Sequence, residues 1–121
     1  MATWIAHLRV AEKVLEYYPN MEHTAFLVGN IAPDSGVPSE DWSTYTPDKN
    51  TSHFQERGVI LPERFLQKYM TKGQWSGYDA GQRAFYLGYY TPLLSDCLWR
   101  KIYTIRQWSG SGVWRRRSVG K

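Results

Sequence analysis

The chain contains one cysteine, so no disulfide can form within it. Cys97 lies in an apolar helical stretch, where we interpret it as a small buried side chain rather than a catalytic thiol. No apolar run approaches the ~18 residues that a membrane-spanning helix needs. Met1 is followed by an amphipathic pattern instead of a secretion signal. These absences favour a cytoplasmic protein without a transmembrane segment.

Acidic residues are absent from residues 106–121, which carry five basic ones. The formal net charge of +4 therefore belongs to this segment, since residues 1–105 carry 10 basic and 11 acidic groups. We interpret 1–105 as the folded domain and 106–121 as a Gly/Ser-rich basic tail without helical periodicity, predicted to be disordered. Arg115–Arg117 can contact anionic surfaces only non-specifically, so no specific nucleic-acid partner is expected.

No segment shows the two-residue alternation of a half-buried strand, and the sequence predicts an all-α fold. Thr3 is a suitable N-cap for the first helix and Pro62 suits the first turn of a later one. Gly29 is expected to end the second helix in a left-handed cap. Residues 30–50 are predicted to form a long functional loop. The four predicted helices cover roughly residues 4–18, 22–29, 62–71 and 79–103.

The last of these helices is apolar around most of its circumference, which predicts a central, buried position. Pro92 interrupts it, and we expect a kink or a new start there, with Thr91 extended. Aromatic residues make up 16% of the chain. They indicate a core with many ring contacts or, alternatively, an aromatic-lined cleft.

Sequence signatures of other chemistries are missing: the chain has no phosphate-binding P-loop, no G-x-S-x-G turn and no Cys-x-x-Cys pair. It does have side chains that zinc prefers, and three of them lie beside predicted helix ends or loops. Each also has a structural interpretation: a hydrogen-bonded histidine, a turn-capping aspartate, or an Asp96–Arg100 pair. We interpret His23 as a solvated side chain. The four ligand candidates are His7, Asp34, His53 and Asp96.

Three segments carry His7, Asp34 and Asp96: T-W-I-A-H-L-R-V-A-E-K, G-N-I-A-P-D-S-G and R-A-F-Y-L-G-Y-Y-T-P-L-L-S-D. His53 lies in the short segment T-S-H-F. Over roughly residues 1–105 the chain resembles the bacterial zinc-dependent phospholipase C family. The resemblance implies a compact multi-helix domain around a long central helix and a zinc-dependent phosphodiester hydrolase. It also implies a phospholipid or other phosphodiester substrate. Up to three zinc ions are bound in that family.

The resemblance further implies that Asp34, His53 and Asp96 bind the central metal, that His7 binds a neighbouring one, and that Asp34 can also act as a base. The family's His-x-x-x-Asp pair departs here, because Pro92 replaces its histidine. The family's downstream ligand helix also has no counterpart in this chain. We therefore expect one or two zinc ions at most and impaired hydrolysis. The alternative is a non-catalytic helical binding module with no metal or one structural zinc.

Overall fold

The computed structural model describes residues 3–110, which are mostly helical. The helices are α1 (Trp4–Tyr17), α2 (His23–Ile31), α3 (Lys49–Ser52), α4 (Pro62–Tyr69), α5 (Lys72–Gly77) and α6 (Ala80–Gly110). A 3-10 turn at Ala32–Asp34 follows α2 directly. Two antiparallel hairpins complete the described range, β1 (Val37–Pro38) with β2 (Tyr45–Thr46), and β3 (Gln55–Glu56) with β4 (Val59–Ile60). The prediction of a helical fold is confirmed in this coarse form.

Helix α1 begins as the sequence predicts. The Thr3 side chain accepts a hydrogen bond from the Ala6 amide, which satisfies one of the unpaired donors of the first turn. The buried residues of this helix are His7, Ala11 and Leu15, each four positions after the last. That spacing places them on one face. On this buried face, Ala11 and Leu15 join the hydrophobic core, and His7 occupies the first position.

Helices α2 and α6 form the largest contact of the fold, and two glycines allow their backbones to touch. A Cβ on Gly29 would lie 2.2 Å from the Phe85 carbonyl oxygen, and one on Gly88 would lie 2.1 Å from the Phe26 carbonyl oxygen. The prediction that Gly29 caps the helix was wrong, because α2 continues to Ile31. Gly29 serves close approach of the two helices instead.

Two hydrophobic clusters lie against α6. One joins α1, α2 and the start of α6 through Ala11, Leu15, Phe26 and Ala84. The other is centred on Ile60, Phe65 and Leu93 and is surrounded mostly by aromatic rings. The Phe65 ring stacks on Tyr89 at 4.8 Å and meets Phe54 edge-on at 5.4 Å. Aromatic side chains in this region therefore build core, and several of them also line a cleft of about 290 Å³, so the structure contains both of the predicted arrangements.

The segment predicted as a loop over 30–50 contains more structure than expected. Besides the 3-10 turn, it holds the β1–β2 hairpin and the start of α3. Asp41 stabilises the hairpin connection by accepting hydrogen bonds from the Ser39 hydroxyl and from the amide and hydroxyl of Ser43. These bonds lower the pKa of Asp41 to about 2. In the connection between β1 and β2, local side-chain hydrogen bonds therefore supply order that neither helix nor sheet hydrogen bonds provide.

Helix α6 differs from its prediction in three ways. It continues to Gly110, beyond the predicted end near Tyr103, so residues 106–110 are helical. It passes through Pro92 without ending, and Thr91 is helical rather than extended. Its second half is not buried, since Leu98, Ile102 and Ile105 are 49%, 55% and 65% exposed. The predicted disorder beyond residue 110, including Arg115–Arg117, lies outside the described residues.

No helix in the described part of the chain is both long and apolar enough to cross a membrane.

Candidate metal site

Four polar side chains from distant parts of the chain meet beside α6. The Nε2 atom of His53 lies 2.9 Å from Oδ1 of Asp34. The Nε2 atom of His7 lies 3.5 Å from Oδ2 of Asp96 and 3.9 Å from Oδ2 of Asp34. The predicted convergence of these four residues is confirmed. Whether they bind a metal is a separate question.

Each of the four positions follows from local structure. His7 is on the buried stripe of α1, and Asp96 is on α6 at a buried position. Asp34 ends the 3-10 turn that extends α2, where Pro33 occupies the first turn. His53 is the C-cap residue of α3. Two rigid helices and two short turns therefore hold the groups, and contact of α2 with α6 brings the Asp34 turn towards Asp96.

The His53 imidazole is held at both nitrogens. Its Nδ1 atom lies 2.9 Å from the Ser52 hydroxyl oxygen, while Nε2 faces Asp34. A hydroxyl can donate or accept, so Ser52 accommodates either neutral tautomer of the ring. When Ser52 donates, Nε2–H donates to Asp34; when Ser52 accepts from Nδ1–H, the Nε2 lone pair becomes available to a cation.

A second contact holds this segment in place from α6. The Tyr89 hydroxyl donates a hydrogen bond to the Ser52 carbonyl oxygen. Burial of the phenol, with smaller effects from the Tyr69 and Asp34 charges, raises the pKa of Tyr89 to about 12. Tyr89 therefore remains a neutral donor at physiological pH. Neither Ser52 nor Tyr89 was predicted from the sequence, although a hydroxyl next to His53 in the chain indicates a hydrogen-bond partner for the imidazole.

Burial differs among the four groups. His7 and His53 are each 2% exposed and Asp96 is 6% exposed, whereas the Asp34 side chain is 23% exposed. The hydrogen bond from His53 holds the pKa of Asp34 below its ordinary value; burial opposes this effect, and the charges of His53, His7 and Lys49 add to it. Asp34 is thus an ionised carboxylate and the most accessible member of the cluster.

Asp34 and His53 form one wall of a cleft of about 190 Å³. A cleft of this volume can hold a small chemical group but not a whole lipid molecule. Its other lining residues come from the 3-10 turn, the β1–β2 hairpin with its flanking residues, and α3: Pro33, Gly36, Tyr45, Pro47, Lys49 and Ser52. Asp96 faces a different cleft of about 350 Å³, lined also by Trp99, Arg100 and Tyr103. The most exposed carboxylate of the cluster, that of Asp34, therefore opens to solvent through the smaller of these two clefts.

The donor set fits zinc chemically, with two imidazole nitrogens and two carboxylates. Neighbouring ligand atoms around a tetrahedral ion with bonds of ~2.0–2.1 Å lie about 3.3 Å apart. The observed separations of 2.9, 3.5 and 3.9 Å lie on either side of that value. In the described conformation the side chains of residues 3–110 form no ready-made group of three ligands. Instead, the His53 Nε2 atom is within hydrogen-bond distance of Asp34 Oδ1.

Pro92 lies one helical turn before Asp96 on the same face of α6 and is buried. It cannot ligate a metal. The helix accommodates it without the predicted break, and the neighbouring Thr91 hydroxyl donates to the Leu87 carbonyl oxygen. Asp96, one turn after Pro92, lies with Oδ2 3.5 Å from His7 Nε2.

Two further residues near the cluster escaped the sequence analysis. Asn30 is buried, donates from Nδ2 to the Phe26 carbonyl oxygen at 2.9 Å, and leaves Oδ1 without a hydrogen-bond partner among the described residues. Lys49 lines the Asp34 cleft. Asn30 is a polar residue in an otherwise apolar helix turn, and this is a signal that the sequence G-N-I-A-P-D does contain. Nothing in the sequence around Lys49 separated it from a solvated lysine.

Comparisons of this chain with models of protein families, with curated proteins and with solved structures find no match.

Proposed function

We propose that the His7, Asp34, His53 and Asp96 cluster is a zinc site of the phospholipase C-like type, and that its chemistry is phosphodiester hydrolysis. The observation that carries the proposal is the meeting of two imidazole Nε2 atoms and two carboxylates within 2.9–3.9 Å. These residues are separated widely in sequence. The resemblance had selected the same four before any geometry was considered.

The distances support a particular division of ligands. Asp34 directs Oδ1 towards His53 and Oδ2 towards His7, so this carboxylate is suited to lie between two ions. Asp96 Oδ2 is near His7, which groups those two side chains on one side. This differs from the expectation that Asp96 joins His53 on a central metal. One or two zinc ions are the number that these donors can hold.

Bound zinc would make water acidic enough to supply hydroxide near neutral pH and would stabilise charge on a phosphoryl oxygen. The residues of the chain would orient that chemistry. Ser52 can accept a hydrogen bond from His53 Nδ1–H, and in that tautomer the Nε2 lone pair would be free to hold zinc. The exposed edge of Asp34 is placed to accept a proton at the cleft. Pro92 supplies no ligand at the position where the family has histidine, so we expect slow hydrolysis.

The alternative function is a non-catalytic helical binding module with no metal or one structural zinc. One observation favours it: His7, His53 and Asp96 are almost fully buried, as in a site that is closed rather than open to substrate. A catalytic site keeps an accessible position, which here only Asp34 offers. Metal stoichiometry and hydrolysis together separate the two functions.

The test is metal content after removal and replacement of zinc, measured for the full chain and for Asp34→Asn, His53→Ala and His23→Ala. His23 is an exposed histidine at the start of α2 and serves as the matched control. We expect one or two equivalents in the parent, a loss in Asp34→Asn and His53→Ala, and no change in His23→Ala. Equal zinc content in all four proteins would refute the site.

Hydrolysis of bis(4-nitrophenyl) phosphate then distinguishes enzyme from module. Slow, zinc-dependent release of nitrophenol that disappears in Asp34→Asn supports the hydrolase. One tightly held zinc with no release above the Asp34→Asn background supports the structural alternative.

A further inference from the structure

The cleft beside Asp34 contains two charged residues of opposite sign. Asp34 lies next to His53 of the candidate metal site. Lys49 is the only lysine or arginine among the described residues that line the cleft. Every other lining group except the His53 imidazole is a neutral side chain or a glycine. A small anion that reaches the exposed edge of Asp34 through this cleft therefore passes one cation.

Lys49 is held at this position by its surroundings. It is the first residue of α3, whose N-cap Asp48 accepts a hydrogen bond of 2.7 Å from the Thr51 amide. The Lys49 ammonium group lies 5.3 Å from the centre of the Tyr45 ring, which also lines the cleft. Lys49 is exposed, and this contact, worth about 0.5–1 kcal/mol at an exposed site, favours a position of its ammonium group at the rim of the cleft.

The charge of Lys49 also acts on the site itself. It is one of the charges that lower the pKa of Asp34, and within the described residues it makes no ion pair with a carboxylate. Its three N–H donors therefore remain available to a ligand in the cleft. Lysine binds phosphoryl oxygens as a point charge and does not require a two-pronged geometry.

We propose that Lys49, held by Tyr45, is the residue that recognises an anionic phosphoryl oxygen of the substrate in the Asp34 cleft. This inference rests on the proposed zinc site, because without bound zinc the carboxylates of Asp34 and Asp96 would repel an anion. It assigns the specificity for a charged phosphoester to one side chain that is not itself a metal ligand. A neutral ester would gain nothing from Lys49.

The experiment measures binding of inorganic phosphate to zinc-loaded protein by calorimetry, with zinc content determined on the same samples. The variants are Lys49→Gln, which removes the charge, and Lys49→Arg, which keeps it. Lys68→Gln is the matched control, since Lys68 also packs on an aromatic ring, at 5.2 Å from Tyr69. It lines a neighbouring aromatic cleft, which shares Pro47 and Ser52 with the Asp34 cleft but does not include Asp34. A lost hydrogen bond to a charged group predicts affinity about 10-fold to 100-fold weaker in Lys49→Gln.

The expected result is unchanged zinc content in all variants, weak phosphate binding in Lys49→Gln alone, and near-parental affinity in Lys49→Arg and Lys68→Gln. The difference should shrink as salt is raised, because the cleft is open to solvent. If zinc binds but Lys49→Gln retains parental phosphate affinity, or if Lys68→Gln weakens it equally, the role of Lys49 is refuted while the zinc site stands. If the parent takes up no zinc, the proposed function is refuted and this inference with it.

Discussion

The two halves of α6 are similar in apolar content and opposite in burial. In the first half Ala84 and Leu93 are 1% and 0% exposed, whereas Leu98, Ile102 and Ile105 in the second half are about half exposed or more. Helix α6 packs against α1, α2 and α4. Its buried residues end at Asp96, and from Leu98 to Gln107 every residue is exposed. Burial is therefore decided by the available partners, and an apolar helix by itself does not establish it.

The candidate metal site lies where the two halves join. Asp96 is at the end of the covered half, next to His7 of α1, and Arg100 one turn later already donates to the carbonyl of Gly58 at the surface. A site built here benefits from the rigidity of the packed half on one side and from access to solvent on the other. The following experiments test this contrast between the halves.

The largest effect is expected for Gly88→Ala in the packed half. The added Cβ would lie 2.1 Å from the Phe26 carbonyl oxygen, so two helix backbones would have to separate. We expect a loss of about 3 kcal/mol in the free energy of unfolding, measured by denaturant titration. The control is Gly73→Ala in α5, where a Cβ meets nothing within 4 Å; it should stabilise the protein by about 0.5–1 kcal/mol. Similar unfolding midpoints for the two variants would contradict close helix contact.

A leucine from each half gives the next comparison. Leu93→Ala removes a side chain that is 0% exposed and should cost about 2–3 kcal/mol, because it leaves a cavity in the aromatic cluster. Leu98→Ala removes one that is 49% exposed and should change the unfolding free energy by about 0.5 kcal/mol or less. Equal losses would mean that the second half of α6 is covered in solution.

The sequence predicted the first half of α6 well because its apolar residues and its partners are both encoded in local patterns. It overestimated burial of the second half, since periodicity shows which residues are apolar but not whether another element covers them. Thr3 and Pro62 were correct because capping and first-turn rules act locally. Gly29 was misread, because a close helix crossing and a helix cap use the same residue for different reasons.

The candidate site was predictable to a similar extent. Its four residues were identified from short segments, and their convergence was confirmed. Their supporting residues were not found: Ser52, Tyr89 and Lys49 contribute through contacts made by the tertiary fold. The effect of Pro92 was overestimated, because neighbouring helices hold α6 continuous where an isolated helix would break.

Pro92→His tests whether the packed half can hold a complete ligand set. The substitution returns an amide donor to the helix and places an imidazole one turn before Asp96. The control Pro92→Ala restores the same amide without a ligand, so the difference between the two variants isolates the imidazole. If zinc binds about tenfold more tightly to Pro92→His, saturating metal should raise its melting temperature by about 4 °C more than that of Pro92→Ala. Equal shifts in both variants would show that position 92 does not face the ion.

The smallest effect concerns acid and the carboxylate at the open side of the site. The His53 hydrogen bond holds the folded-state pKa of Asp34 below its ordinary value of 3.8. The ionised form is therefore favoured by folding, and the resulting stability is complete above pH 3.8 and is lost as the pH falls through the lower folded-state pKa. In chelator, Asp34→Asn should melt below the parent at pH 6, and the gap should narrow steadily below about pH 4.

Carboxyl NMR of Asp34 supplies a direct measurement of the same pKa. His53→Ala removes the first cause of the shift, so the Asp34 resonance should then titrate closer to its ordinary value. The difference in melting temperature at pH 6 between a protein with Asp34 and its Asp34→Asn variant should also be smaller when both carry His53→Ala. A gap that stays constant between pH 6 and pH 2 would mean that the charge of Asp34 does not contribute to folding. The His53 contact would then be formed equally well by a neutral side chain.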